Sequence, residues 1–135
     1  MAIFKLSDGE QVRTVIVNKA SATVIPAGSL AGITAGLAVP AVAATTKVAW
    51  CPQGAVDGET TCELTVGCDF TLKGTGDAVF AVAYKGTEVD ITDAQLVDVG
   101  SSSTDVLLID ISENAGTVGS ASGITVRINP TKVLF

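Results

Sequence analysis

DFTLKGTGDAVFAVAYKGTEVDITDAQLVDV, residues 69–99, decides the fold, because this stretch contains three strand signals separated by two glycine turns. Residues 80–84 are apolar on both faces, which predicts a central strand that is covered on both sides. A turn at residues 85–86 leads into residues 88–91, whose alternation points the aliphatic side chains inward and the carboxylates, Asp90 among them, outward. The stretch therefore predicts antiparallel strands joined by tight turns.

Short strand patterns continue on both sides of this stretch. Residues 61–66 and 124–128 alternate cleanly, so each predicts a strand with one buried face. Further strands are expected at residues 3–6, 11–17, 23–25, 37–39, 47–51 and 104–111, with glycine and proline turns between them. Nine or ten such strands predict an all-β fold, a single-domain β-barrel or sandwich of short antiparallel strands over residues 1–135. Residues 1–10 fit equally well a first strand and an extended N-terminal arm laid on a partner.

The charge balance argues against nucleic acid as a partner. The formal net charge is −6, and only eight lysines and arginines are scattered over 135 residues. Binding to a phosphate backbone depends on a basic patch, which this sequence does not offer. With 16% charged residues and 4% aromatic residues, the apolar content comes from alanine, valine, isoleucine and leucine. Such a surface is expected to be covered by neighbouring subunits.

Residues 20–46 carry no charge, and glycines stand at every fourth position from 28 to 36. In an apolar segment this spacing is typical of helix packing in a membrane. Pro26 and Pro40 fall inside the segment, however, and small or hydroxylated residues make up much of the rest. We therefore expect short strands with glycine turns and no contact with a membrane.

The three cysteines, Cys51, Cys62 and Cys68, cannot all pair within one chain. Charged residues interrupt the start of the sequence, so no signal peptide is expected and synthesis in a reducing cytoplasm is favoured. Cys62 shares a strand face with Leu64 and Val66, which favours a small buried hydrophobe over a metal ligand or redox group. The sequence has no histidine and no CxxC pair, and we predict neither a metal nor a cofactor.

No enzymatic activity is predicted, because a sequence without histidine lacks the usual general base at neutral pH. Two carboxylate pairs, Asp90 with Asp93 and Asp98 with Asp110, could in principle face each other at the separation found in glycosidases. Their alternation with apolar positions favours solvated strand faces instead. Residues 74–77, Gly-Thr-Gly-Asp, look like a phosphate loop but lack the GK[ST] ending, so a hairpin turn is the better interpretation.

The sequence resembles the small head-decoration, or cement, proteins of tailed bacteriophages. The resemblance rests on VIPAGSL at residues 24–30, on the strand and turn pattern of residues 70–111, and on AGTVGS at residues 115–120 before the last strand. It implies a compact β domain that is made in the host cytoplasm and lies on the outer surface of the virion head. There it implies a homo-trimer that binds the major capsid protein and stabilises contacts between capsomers.

Three aromatic residues are candidates for contacts with such a partner: Phe4, Trp50 and Phe135. Trp50, the only tryptophan, is either core filler or an interface anchor. The apolar end at residues 133–135 is expected to pack on the body of the protein or on another subunit. Two further hypotheses are a tail or baseplate subunit and a carbohydrate-binding β domain. The second of these requires exposed aromatic platforms.

Overall fold

The computed structural model describes residues 4–8 and 12–134, and this part of the chain is almost entirely β. It contains eleven strands and two short 3₁₀ turns, which confirms the predicted all-β class. The strands are β1 (Lys5–Asp8), β2 (Arg13–Asn18), β3 (Ser29–Thr34), β4 (Leu37–Pro40), β5 (Ala49–Cys51), β6 (Thr61–Val66), β7 (Thr71–Gly76), β8 (Glu88–Asp93), β9 (Leu96–Asp98), β10 (Leu107–Ile109) and β11 (Ile124–Ile128). The 3₁₀ turns are η1 (Val82–Tyr84) and η2 (Pro130–Lys132).

Six strands form the first sheet, in the order β1-β7-β11-β10-β8-β9. Strand β9 also pairs with β7, in parallel, through Thr75 with Leu96 and Gly76 with Val97. The five strands β7, β11, β10, β8 and β9 therefore close on themselves, and we call them the first barrel. Closure removes the free edges of these strands, while β1 extends the sheet beyond β7.

The other five strands form the second sheet, in the order β2-β6-β5-β3-β4, and all of its strand pairs are antiparallel. Its two end strands meet where Lys19, directly after β2, bridges Ala38 in β4. The backbone N–H of Ala20 donates to the carbonyl oxygen of Ala38 at 3.1 Å. The second sheet is thus curled until its first and last strands touch.

Two hydrophobic cores lie on either side of a shared wall, which consists of β3 and β5. Successive side chains of a strand point to opposite faces, and Leu30 and Trp50 enter one core while Ala31 and Ala49 enter the other. The large core is built mainly from the first barrel and contains phenylalanine, leucine, isoleucine and valine side chains. The small core consists of Ile25, Ala31, Ala38, Ala49, Cys51, Ala55, Cys62, Leu64 and Val66.

The segment 80–84 does not form the predicted central strand, and the predicted hairpin into β8 was wrong. Only Phe80 is buried, and the chain then turns through η1, in which Val82 is exposed. The backbone N–H of Phe80 donates to the carbonyl oxygen of Ser120 at 2.9 Å, and the N–H of Gly119 donates to the carbonyl oxygen of Phe80 at 3.1 Å. A loop, and not a strand, satisfies the backbone of this segment.

Residues 74–77 do not form the predicted hairpin turn either, because β7 continues through Gly76. Gly74 lies directly beneath the ring of Phe4, and a Cβ atom at this position would stand 2.6 Å from a ring carbon. Glycine is therefore required here so that the ring can reach the large core. The predicted strand at 104–111 is also shorter than expected and comprises only β10.

The first strand belongs to the chain's own sheet. In β1, Lys5 pairs with Lys73 and Leu6 with Leu72, and the backbone N–H of Phe4 donates to the carbonyl oxygen of Gly28 at 2.9 Å. Of the two alternatives for residues 1–10, a first strand is the one found for residues 5–8. Residues 1–3, 9 and 10 lie outside the described part of the chain.

The other end of the chain also packs on the body of the protein, as expected for an apolar segment. Val133 forms a parallel bridge with Val48 and contacts the large core, whereas Leu134 packs against the small core. Phe135 lies outside the described residues. In residues 4–8 and 12–134, no helix has the length and hydropathy needed to cross a bilayer.

Candidate functional site

The predicted contact residues Phe4 and Trp50 are internal. Phe4 is 1% exposed and Trp50 is 8% exposed, and both belong to the large core. The indole N–H of Trp50 donates to the carbonyl oxygen of Gly28 at 3.1 Å, and its ring lies 6.3 Å from that of Phe70. Trp50 is therefore core filler. Neither side chain has surface to offer a partner, so the structure does not support these two contacts, while Phe135 lies outside the described residues.

Four exposed aliphatic side chains lie instead on two segments that connect strands of the first barrel. They are Val79, Val82, Ile111 and Val118, which are between 54% and 77% exposed, and we call them the apolar patch. Phe80 pairs in parallel with Val118, which places residues 79–82 beside residues 117–119.

The patch residue Ile111 is tied to the same surface. The backbone N–H of Gly86 donates to the carbonyl oxygen of Ile109 at 3.0 Å. A Cβ atom built on Gly86 would lie 3.0 Å from Cγ2 of Ile111. The turn that follows η1 and the loop that follows β10 are thus in contact, and Ile111 stands beside the segment that carries Val79 and Val82.

The segments that carry the apolar patch meet at a buried aromatic ring. The ring of Phe80 is buried, and its edge-to-face contact with Tyr84 has a centroid separation of 6.4 Å. Gly116 lies against the same ring, so a Cβ atom there would stand 2.8 Å from Cγ of Phe80. The two segments that carry the patch are therefore held together through a shared interior residue, as well as by their backbone hydrogen bonds.

Asp110 fixes the loop that presents Ile111. One oxygen, Oδ1, accepts from the backbone N–H of Ile111 at 2.8 Å, and Oδ2 accepts from the hydroxyl of Ser112 at 2.6 Å. The hydrogen bond from Ser112 is the main reason that the pKa of Asp110 lies below its usual value, and the Ile111 N–H and the Arg127 charge act in the same direction. Asp110 is therefore ionised at neutral pH and adds negative charge beside the patch.

Asp90 is the most enclosed carboxylate of the described residues, and the prediction that it is solvated was wrong. It is 5% exposed and accepts from the backbone N–H groups of Ser103, Thr104 and Asp105 at 2.8 Å each. The hydroxyl of Ser101 donates at 2.9 Å. Burial alone would raise the pKa of Asp90, but these donors together hold it below its usual value.

A second pair of carboxylates stands at the ends of β7 and β9. Oδ1 of Asp77 accepts from the backbone N–H of Val99 at 3.1 Å, and Asp98 is paired in register with Asp90 on β8. Burial raises the pKa of Asp98, and the hydrogen bond and negative charge of Asp77 raise it further. Asp98 therefore holds a proton more readily than an ordinary aspartate.

Three of the four carboxylates considered as glycosidase pairs accept hydrogen bonds from backbone N–H groups instead. Asp93 accepts from the N–H of Gln95 at 2.8 Å, in the turn between β8 and β9, while Asp90 and Asp110 each organise a loop. Among the residues that the structure describes, no group of three or more histidine, cysteine, aspartate or glutamate side chains is arranged to hold a metal ion.

The small core contains a polar cluster that the sequence did not reveal. Cys51 and Cys62 are both buried there, and Ser29, directly opposite Cys51 on β3, has a buried hydroxyl without a hydrogen-bond partner. Lys19 is buried nearby, and its ammonium group donates to the carbonyl oxygens of Ala20 at 2.8 Å and Thr23 at 2.5 Å.

Neither the apolar patch nor this polar cluster was predicted from the sequence. Valines and isoleucines in apparent strands were expected to be buried, and residues that meet across strands cannot be recognised before the register is known.

No protein-family model, curated protein sequence or solved structure matches this chain.

Proposed function

We propose that this protein is a structural component of a bacteriophage virion that binds the outer surface of the capsid and stabilises contacts between capsomers. The observation that carries the proposal is the apolar patch, four exposed aliphatic side chains on segments that backbone pairing brings side by side. Contiguous exposed apolar surface is typical of a protein–protein interface, because covering it removes apolar area from water. The sequence pattern of residues 24–30 and 70–120, which resembles head-decoration proteins, supports the same class of function.

The apolar patch and the residues that flank it have the composition of a small interface. Its centre is aliphatic, and charged residues stand next to it in sequence: Asp77 and Asp110 on the acidic side and Lys85 on the basic side. Interfaces commonly combine an apolar centre with a polar rim that excludes water. With a net charge of −6, the chain favours a partner surface that is apolar in the middle and basic around it. We assign that surface to the major capsid protein.

Many copies on one shell would act together. Each copy contributes a modest area, and simultaneous engagement of several copies multiplies the effect on the shell. The proposed homo-trimer would supply this multivalency. Light scattering on the purified protein gives the mass of the oligomer. Three times the mass of one chain supports the trimer, and the mass of a single chain contradicts it.

A carbohydrate-binding function is disfavoured by the positions of the aromatic residues. Phe4, Trp50, Phe70 and Phe80 are buried and Tyr84 is half-buried, so the described part of the chain offers no exposed ring for stacking on a sugar. A tail or baseplate subunit would use an apolar patch in the same way as a capsid protein. Electron microscopy of particles distinguishes these two, because it places the chain either on the head or on the tail.

The test of the patch compares two double variants of equal chemistry. Val82→Asp with Val118→Asp places two charges in the patch, whereas Val56→Asp with Val24→Asp places two charges at equally exposed valines outside it. We expect the first variant to bind expanded, undecorated heads at least about tenfold more weakly than the wild type. The second variant should bind like the wild type, and circular dichroism should show that both variants are folded. Equal binding by the two folded variants would exclude the patch as the capsid contact.

A further inference from the structure

We propose that Cys51 and Cys62 form a modification site, a pair of thiols that closes into a disulfide within the native fold when the protein meets a hydroperoxide. The inference is independent of the proposed function. It follows from the register of β5 and β6, from the small residues around both cysteines, and from the cation beside one of them.

The register brings the two cysteines to the same face. Trp50 pairs with Thr65 across β5 and β6, which places Cys51 opposite Leu64. Cys62 is two residues from Leu64 along β6 and therefore lies diagonally across from Cys51 on the same side of the sheet. Both side chains are buried in the small core, and their thiols are near enough for a hydrogen bond between them.

The surroundings leave the sulfur atoms room to approach each other. The small core holds four alanines, Ala31, Ala38, Ala49 and Ala55, and their short side chains do not wedge the two strands apart. Beyond Cys51 the chain leaves the strand, and the N–H of Gly54 turns back to the carbonyl oxygen of Cys51 at 3.4 Å. Cys51 is therefore the last residue of its strand, where a small rotation of the backbone disturbs the fewest ladder hydrogen bonds.

The two thiols are chemically unequal. Burial and the neighbouring Cys62 raise the pKa of Cys51 to about 11, so this thiol keeps its proton. Burial also raises the pKa of Cys62, but the hydrogen bond from Cys51 and the positive charge of Lys19 oppose that effect, while Glu59 adds to it. The Lys19 charge and the hydrogen bond from Cys51 favour the thiolate of Cys62, so we assign Cys62 as the attacking sulfur and Cys51 as the sulfur that resolves the oxidised product.

The reaction balances with one molecule of hydrogen peroxide. The thiolate of Cys62 attacks one peroxide oxygen, the O–O bond breaks, and the hydroxide that leaves takes up the proton of Cys62 as water. The sulfur of Cys51 then attacks Sγ of the Cys62 sulfenic acid, the S–O bond breaks, and a second water carries away the proton of Cys51. Two electrons pass from the thiols to the peroxide, and one S–S bond forms.

Cys68 provides an internal control. It is half-buried in the turn after β6, outside the small core, and its backbone carbonyl accepts from Nη2 of Arg127 at 2.8 Å. A single half-buried thiol without a partner cysteine can only join two chains or accumulate oxygen. The Cys68→Ala variant removes both reactions and leaves the proposed pair alone.

The experiment treats the folded Cys68→Ala variant with hydrogen peroxide, alkylates the remaining thiols after denaturation, and measures mass and melting temperature. We expect a loss of about 2 Da, no alkylation, and a peptide that links residues 51 and 62. The bond closes a short loop, so the melting temperature should rise by about 5 to 10 °C and return to its original value with a reductant. In the wild type, the same linked peptide should form, accompanied by the oxidation of Cys68.

Three outcomes would overturn the proposal. The first is alkylation of both cysteines after peroxide treatment, and the second is a gain of oxygen at Cys62 without a linked peptide. The third is a linked product that melts at or below the temperature of the reduced protein, since such a bond would not fit the native fold. The double variant Cys62→Ala with Cys68→Ala, which retains only Cys51, should show no loss of mass in the same experiment.

Discussion

The two cores of this protein differ in the size of the side chains that fill them. In the large core, residues such as Leu72, Ile91 and Phe80 fill the space between strands, whereas alanines and cysteines occupy most of the small core. The same two strands, β3 and β5, serve both, with Trp50 on one face and Ala49 on the other. Large side chains bury more apolar area per residue, so the large core is expected to supply most of the stability, and the small core to depend on close approach of its strands.

Truncation of Leu72 should have the largest effect and tests this difference directly. Leu72→Ala removes a fully buried side chain from β7 and leaves a cavity, so we expect a loss of about 2–5 kcal/mol in the free energy of unfolding. The matched change in the small core, Ala49→Gly, removes one methyl group and should cost only about 1 kcal/mol. Urea denaturation measures both values. Equal losses would show that the two cores contribute alike.

The two sheets also differ in how their buried polar groups are satisfied, and Asp90, on β8 of the first barrel, is expected to show a large effect. Asp90→Asn replaces one accepting oxygen with an amide that cannot accept, so several donors of residues 101–105 lose their partner and we expect a loss of about 2–4 kcal/mol. Because the pKa of Asp90 is lowered in the folded state, its contribution is present above the ordinary aspartate pKa and is lost as the pH falls. The stability difference between wild type and variant should therefore shrink as the pH falls below about 4. A difference that stays constant over this range would contradict the assignment.

Overpacking is the corresponding test of the small core. Ala31→Val adds two methyl groups where β3 faces this core, and we expect a loss of about 1–3 kcal/mol because the close strands cannot separate without strain. Ala43→Val, at an exposed position, should stay within about 0.5 kcal/mol of the wild type. Thermal unfolding of the two variants gives the comparison. A neutral Ala31→Val would mean that the small core contains free volume.

The smallest effect is expected at Ser29 and has the opposite sign. Its hydroxyl is buried without a hydrogen-bond partner, so Ser29→Ala removes a group that lost its water on folding. We expect a gain of about 1 kcal/mol, measured by urea denaturation with Ser21→Ala, an exposed serine, as the control. A loss of stability at Ser29 would indicate that the hydroxyl bonds to the sulfur of Cys51, directly opposite on β5.

The sequence predicts best where polar and apolar residues alternate. Strands β6 and β11 have the expected limits to within one residue, and Cys62, Leu64, Ile124 and Val126 are buried as predicted. Contrast between the two faces of a strand is the physical signal, and these segments contain it. Residues 29–40 do not, because alanine and glycine bury as readily as they stay exposed, and the double burial of β3 could not be read from them.

Other features depend on contacts between distant residues. Asp90 alternates like a solvated carboxylate, and only the donors of residues 101–105 make its burial favourable. Residues 80–84 have the composition of a strand, but the backbone of Phe80 is taken by residues 119 and 120. The apolar patch follows from that same diversion, since Val82 is exposed when the chain turns away from the sheet. Such long-range partners leave no local trace in sequence.

Strand β1 and the last described residues each pair with the opposite half of the chain, and this affects how the chain folds. Strand β1 completes the sheet built by the later half of the chain, while Val133 pairs with Val48, directly before β5, and Leu134 packs on the small core built by the earlier half. During synthesis, β1 therefore leaves the ribosome long before its partner β7 exists, and neither half can finish alone. We expect one cooperative transition with no separable fragment, and cleavage between the halves should release no piece that folds independently.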